Sequence, residues 1–348
     1  MRTRSGLGCL ASLMIGLGAT SVGNAAPYDA IYAFGDSLTD IGNLLALTSS
    51  GSLPGVPPQP VPPIYYIGRR SNGPIWIDYL SGDLGPPISP SLQGGTVFAY
   101  ASGAETGSTP LHQANFTDLT GPTGQLAQFR QSIPNPDPKA LYTLWMGGND
   151  LFDVFYNLGA GGSPNPTAVA NASVANMTSF VSAIASLGAK NLLLLTLPDL
   201  GKVPVITQDY PSYVSEASAL SAYYNQQLVS SLTAEAARDS LNLYVLDVYS
   251  LIDAAVADPQ RFGFTNVTDP CWTGDFLGQN GTECANPNQY LFWDHYHGTT
   301  ATYRILATDA EAVLASVPEP SVFALMALPL VGLAAIRFGP SLHRVATR

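Results

Sequence analysis

Between residues 27 and 316 the apolar positions fall into five short β-branched or Leu-rich runs, set between longer segments of helical period. That alternation constrains the fold more than any other feature. Residues 30–34, 97–100, 141–145, 192–196 and 243–246 read as strands, and because nearly every position in them is apolar they must be buried on both faces. Residues 71–80, 125–131, 166–187, 212–239 and 300–316 read as helices, which supply the cover that such strands need. The pattern predicts an α/β fold, with a central, mostly parallel sheet of about five strands between helical layers. Sites in that architecture lie outside the carboxyl ends of the strands. The Pro-rich stretch 54–63 and the Gly/Pro stretch 159–166 read as surface loops of one domain.

The two ends do not share this pattern. Arg2 and Arg4 precede an apolar stretch from Leu7 to Val22, and Gly23-Asn24-Ala25 supplies small residues for cleavage, so residues 1–25 are expected to be a signal peptide. After residue 316 come Val317-Pro318-Glu319-Pro320, an apolar run from Val322 to Ile336, and a basic end with Arg337, Arg344 and Arg348. This order resembles the PEP-CTERM sorting tail of Gram-negative bacteria, which implies membrane retention over 317–348 and removal by a sorting protease on the way to the cell surface. A plain anchor that is never cut is the alternative. The expected domain is then 26–316, where 9 basic residues face 24 acidic ones, a net charge of −15. With no basic cluster to neutralise a phosphate backbone, nucleic acid is excluded as a partner. Three cysteines rule out a four-cysteine zinc site. Of these, Cys271 and Cys284 survive processing, and an exported pair thirteen positions apart is expected to be bridged.

Four segments at strand ends carry the candidate chemistry. Gly35-Asp36-Ser37-Leu38-Thr39-Asp40 follows the first strand, where Ser37 is placed either as an exposed nucleophile or as a helix cap. The second strand ends in Ala101-Ser102-Gly103, where a backbone N–H is open to a ligand. The third ends in Gly147-Gly148-Asn149-Asp150, and the Asn149 amide is a fixed donor for a developing oxyanion or simply part of a turn. Trp293-Asp294-His295-Tyr296-His297 precedes the last helix. An Asp three residues before a His can fold back onto Nδ1 and leave Nε2 free to take a proton from a serine, although a polar helix cap would look the same.

In this order the four segments resemble the GDSL lipase/esterase family, also called SGNH hydrolases. Gly68-Arg69-Arg70-Ser71-Asn72-Gly73-Pro74 and the loop between Cys271 and Cys284 extend the likeness to about Tyr28–Ala315. The resemblance implies a flavodoxin-like three-layer fold and an esterase needing no cofactor and no metal. Ser37 would be the nucleophile, His297 the base and Asp294 its orienter. The Ser37 N–H, Gly103 N–H and Asn149 side chain would form the oxyanion hole, and an acyl ester of a lipid, small alcohol or polysaccharide would be the partner. An acyltransferase or an exopolysaccharide O-deacetylase could use the same residues, and an inactive surface-binding module is the non-enzymatic alternative. Two positions depart from the family pattern: Gly298 follows His297, and the second segment has Ala99 and a single Gly103.

Overall fold

The computed structural model describes residues 27–51, 55–101 and 122–316. The expected leader, the tail and Gly103 lie outside the described residues. Four strands, β1 (Ile31–Gly35), β2 (Leu141–Trp145), β3 (Asn191–Leu195) and β4 (Asn242–Leu246), pair in parallel in chain order. Every residue of β1 and β2 is buried. Since side chains alternate between the two faces of a strand, that requires cover on both.

Helices α1 (Asn43–Ser49), α2 (Trp76–Leu84) and α3 (Pro122–Ser132) lie between β1 and β2. Helices α4 (Gly148–Gly159) and α5 (Pro166–Ser186) connect β2 to β3. Helix α6 (Val214–Asp239) returns the chain to β4, and α7 (Val248–Ala257) follows it. The last helix among the described residues, α8 (Thr300–Ala315), comes after a small two-stranded parallel sheet of β5 (Asn266–Pro270) and β6 (Tyr290–Phe292). Helices α5 and α6 pack on each other, and α8 packs on α2. The starts of two helices follow from local chemistry. Pro166 opens α5 behind Asn165, whose Oδ1 accepts the Ala168 N–H at 3.0 Å, and Thr299 caps α8 by accepting from the Thr302 N–H.

The sheet has four strands where five were expected, and the difference falls on residues 97–100. This segment runs beside β1 and makes ladder-like bonds, Phe98 N–H to Ala33 C=O at 2.7 Å and Tyr100 N–H to Gly35 C=O at 3.2 Å. Its regular pairing stops there. The Val97 N–H donates to Ser89 C=O, and the carbonyls of Val97 and Ala99 both accept from the Asn43 side chain, at 2.8 and 3.0 Å. On the β1 side the ladder breaks at Gly35, whose N–H donates to Gln125 Oε1 at 3.1 Å, and the Asn43 and Ser89 bonds hold the outer side as an irregular edge.

Helix α2 starts at Trp76, later than the expected 71, because 68–73 form a turn. There the Arg69 guanidinium pairs with the Asp78 carboxylate, which also accepts the Ile75 N–H at 2.9 Å. The core centres on Phe34, which stacks on Phe98 and meets Phe129 and Phe180 edge-on. Each such ring contributes about 1.5–3 kcal/mol by leaving water. A second, smaller core joins Tyr65, Trp272 and Trp293 to the disulfide between Cys271 and Cys284, whose Cα atoms are 4.8 Å apart. On the chain-entropy account, closing that short loop stabilises the fold by about 3 kcal/mol.

Candidate active site

Ser37 leaves the end of β1 in a turn made by its neighbours. The Asp36 C=O accepts the N–H groups of Thr39 and Asp40 at 3.0 and 2.9 Å, and Asp36 Oδ1 accepts that of Leu38 at 3.0 Å. A Cβ on Gly35 would stand 2.7 Å from the Trp145 carbonyl and 2.8 Å from Thr39 Oγ1, so only glycine lets β1 end this close to β2. The Gln125 amide, from α3, bonds both the N–H and the C=O of Gly35. Ser37 itself is half-buried.

The capping role belongs to Asp40. Its carboxylate accepts N–H groups from Gly42, Asn43 and Leu44 at the start of α1, and from Ala101 on the neighbouring segment at 2.9 Å. Burial pushes the Asp40 carboxyl up, while these four bonds pull it down and leave it above its ordinary value. Its position binds the Ser37 turn to residues 97–101, a function that sequence reading did not assign.

The turn between β6 and α8 presents Asp294 and His297. It is closed by Trp293 N–H to His297 C=O at 2.7 Å and Thr299 N–H to Leu291 C=O at 3.1 Å. Asp294 Oδ1 accepts the backbone N–H groups of Tyr296 and His297 at 2.8 and 2.9 Å. His297 Nδ1 lies 2.8 and 2.9 Å from the two carboxylate oxygens, and Nε2 lies 2.8 Å from Ser37 Oγ. An Nδ1 facing a carboxylate must carry the proton, so Nε2 is the acceptor of the Ser37 hydroxyl. Burial alone would push the Asp294 carboxyl up. The facing His297 ring and the bonds from His297 and Tyr296 outweigh it, and the carboxyl sits below its ordinary value. Tyr65 adds a further bond, donating its hydroxyl to Asp294 Oδ2 at 2.9 Å.

His295 points elsewhere: its Nδ1 lies 3.7 Å from Asp209 and its carbonyl accepts the Val205 N–H. Asn149 stands in the first turn of α4, with its amide donating to Asp36 Oδ2 at 3.4 Å. The approach to it needs glycine at 147, where φ is 116° and a Cβ would come within 2.3 Å of the Tyr224 hydroxyl. The expected "strand tip" is therefore also a helix start.

Ser37, Asn149 and His297 line one cavity of about 340 Å³. Its walls are apolar: Phe152 of α4, Leu197, Leu200 and Val203 after β3, Ile252 of α7 and Leu306 of α8. Phe276, from the disulfide loop, forms its rim 5.9 Å from the His297 ring. Gly103 lies outside the described residues and is not placed.

A family profile described as GDSL-like Lipase/Acylhydrolase matches residues 31–310, nearly the whole folded region. The chain is 30% identical over 272 residues to a phosphatidylcholine-sterol acyltransferase of Aeromonas hydrophila, covering 77% of this chain and 72% of that protein. It is 28% identical over 307 residues to GDSL esterase/lipase 6 of Arabidopsis thaliana, covering 80% and 84%. A thermolabile hemolysin of Vibrio parahaemolyticus is 26% identical over 291 residues, covering 80% of this chain and 62% of the hemolysin. The chain belongs to the GDSL-like lipase/acylhydrolase family. Its relatives are named as esterases, lipases and an acyltransferase, and hydrolase activity is what they support.

Proposed function

We propose that this protein is a serine esterase or lipase that hydrolyses carboxylic esters through an acyl-enzyme. One observation carries the reading: the hydrogen-bonded series Ser37, His297, Asp294 opens directly onto an apolar cavity. In this mechanism His297 Nε2 takes the Ser37 proton as Oγ attacks the carbonyl, and the Asp294 carboxylate stabilises the imidazolium. The oxyanion is met by the Ser37 N–H and the Asn149 amide, with Gly103 as a third donor by family resemblance. His297 then gives its proton to the departing alcohol, and water, activated in the same way, releases the acid. These steps draw on protein groups alone, with no cofactor.

An acyltransferase would run the same first half-reaction and hand the acyl group to an alcohol, and the relative from Aeromonas hydrophila is named for that activity. Product analysis with and without a sterol acceptor distinguishes the two. An exopolysaccharide O-deacetylase suits the site less well, because an acetyl group needs little of this apolar volume. A pocket near the small end of the usual range, about 300–1,000 Å³, favours short and medium acyl chains. With p-nitrophenyl esters from acetate to palmitate, turnover is expected to peak between butyrate and octanoate. No turnover of any of them would overturn the proposal.

Asn149→Ala is expected to lower kcat by about 10²- to 10³-fold with KM nearly unchanged, since the amide acts only as charge develops. Raised KM at unchanged kcat would assign Asn149 to substrate binding instead.

We further infer that the protein is exported, that 26–316 is the working domain, and that 317–348 is a sorting tail removed by a sorting protease on the way to the cell surface. The leader and tail motifs support this, as does the bridge between Cys271 and Cys284, which suits an oxidising compartment. Helix α8 ends at Ala315, two prolines follow within five residues, and neither belongs inside a helix. Truncation after Ser316 is expected to yield a soluble chain with undiminished esterase activity. Loss of folding in that chain would make the tail part of the core.

A further inference from the structure

Asp294 is buried, with 2% of its surface exposed, and its carboxylate has donors of two origins. Three come from its own turn, the N–H groups of Tyr296 and His297 and the His297 ring, and both backbone donors fall on Oδ1. Oδ2 faces the ring too, but among the described residues its other donor comes from 229 positions away, the Tyr65 hydroxyl at 2.9 Å. Local bonds thus fix one oxygen, and Tyr65 fixes the second. Without it Oδ2 keeps only its contact with the ring, rotation about the Cβ–Cγ bond is resisted through Oδ1 alone, and the carboxylate holds the imidazole less firmly.

Tyr65 is held rigidly enough to do this. It is 1% exposed, its ring meets Trp293 edge-on at 6.4 Å, and the Arg70 guanidinium lies 5.5 Å from the ring centre. Its backbone N–H donates to Val61 C=O. Tyr65 and Trp293 belong to the small core built with Cys271, Cys284 and Trp272, apart from the main core. Burial, and then the nearby Asp294 charge, push the Tyr65 phenol far up, so its hydroxyl keeps the proton that it donates.

We propose that Tyr65 is a positioning residue, whose hydroxyl locks the Asp294 carboxylate in the orientation that His297 needs during acyl transfer. The proposal rests on the triad reading above. It also gives the Pro-rich loop and the disulfide-linked core a purpose beyond packing: they carry Tyr65 to the far side of Asp294.

The test is a double-mutant cycle on the full-length chain, read with an activated p-nitrophenyl ester so that weak turnover stays measurable. Tyr65→Phe keeps the ring and its packing, and circular dichroism with a thermal melt checks the fold. A hydrogen bond to a buried charge corresponds to about 10- to 100-fold, so kcat is expected to fall by that factor while KM changes by less than about twofold. In an Asp294→Asn background the same substitution is expected to cost less than about threefold, because there is no carboxylate left to orient. Equal losses in both backgrounds would show a merely structural role and overturn the proposal, as would an unchanged kcat in Tyr65→Phe. Fluorophosphonate labelling separates this from the underlying reading. A wild type that labels at Ser37 while Tyr65→Phe keeps full kcat removes Tyr65 alone, whereas a wild type that neither labels nor turns over ester removes both.

Discussion

Ser37→Ala is expected to reduce ester hydrolysis by about 10⁴-fold or more, the loss typical of deleting the nucleophile from a serine triad. The side chain is half-buried, and its hydroxyl bonds His297 Nε2 at 2.8 Å without taking part in either core. The turn that presents it is held by Asp36, Asp40 and Gln125, none of which bonds through the serine side chain. Loss of the Ser37 hydroxyl deletes one hydrogen bond and no packing, so stability should change by no more than about 1.5 kcal/mol. Covalent labelling by a fluorophosphonate should disappear together with turnover. An alanine variant that retains more than about a hundredth of wild-type kcat would exclude Ser37 as nucleophile, since the oxyanion donors alone do not sustain that rate.

Strands β1 to β3 were legible because burial on both faces writes them as continuous apolar runs, and the long helices because their period survives over many turns; β4, at the edge of the sheet, buries only Tyr244 and Leu246, not both faces as expected. The elements that escaped lack such a signature. Helix α4 begins at Gly148-Asn149-Asp150, residues that read as a turn, and its start is set by the close approach of Gly147 to Tyr224. Helix α7 follows β4 after a single residue, Asp247, so its apolar positions merge with those of the strand. Strand β6 has only three residues, and β5 is a mostly polar segment with a single buried residue, so neither period appears in it. Residues 97–100 have a strand's composition, yet the Asn43 amide takes their carbonyls, and nothing in the segment itself announces that partner 54 positions away.

The same division runs through the candidate site. Asp294 and His297 are three residues apart, so their contact could be read locally. Ser37 is 260 positions from His297, and only the parallel sheet and family resemblance suggested that they meet. Tyr65 and Asp40 were not legible at all. Tyr65 follows a Pro-rich stretch that reads as surface, and Asp40 looks like an ordinary helix cap until its bond to Ala101 is seen.

Two histidines flank Tyr296, and their substitution separates the proposed general base from its neighbour. His297 donates from Nδ1 to a buried carboxylate and accepts at Nε2 from Ser37, the geometry that proton transfer in both directions requires. On the proposed mechanism His297→Ala removes the base for attack and the acid for departure together, and kcat is expected to fall by about 10⁴- to 10⁶-fold. His295 makes no bond to Asp294. Its Nδ1 faces the half-exposed Asp209 at 3.7 Å, and the backbone bond from Val205 to its carbonyl survives any side chain. An exposed pair of this kind is worth about 0–1 kcal/mol, and His295→Ala should leave kcat within about threefold of wild type. Asp294→Asn falls between them, at about 10³- to 10⁴-fold, because the amide can present its N–H to the ring and hold the wrong tautomer. The three variants are compared by kcat on one activated ester, with circular dichroism to verify folding. A larger loss in His295→Ala than in His297→Ala would move the base to residue 295, and the bond from Nε2 to Ser37 would then have no catalytic meaning.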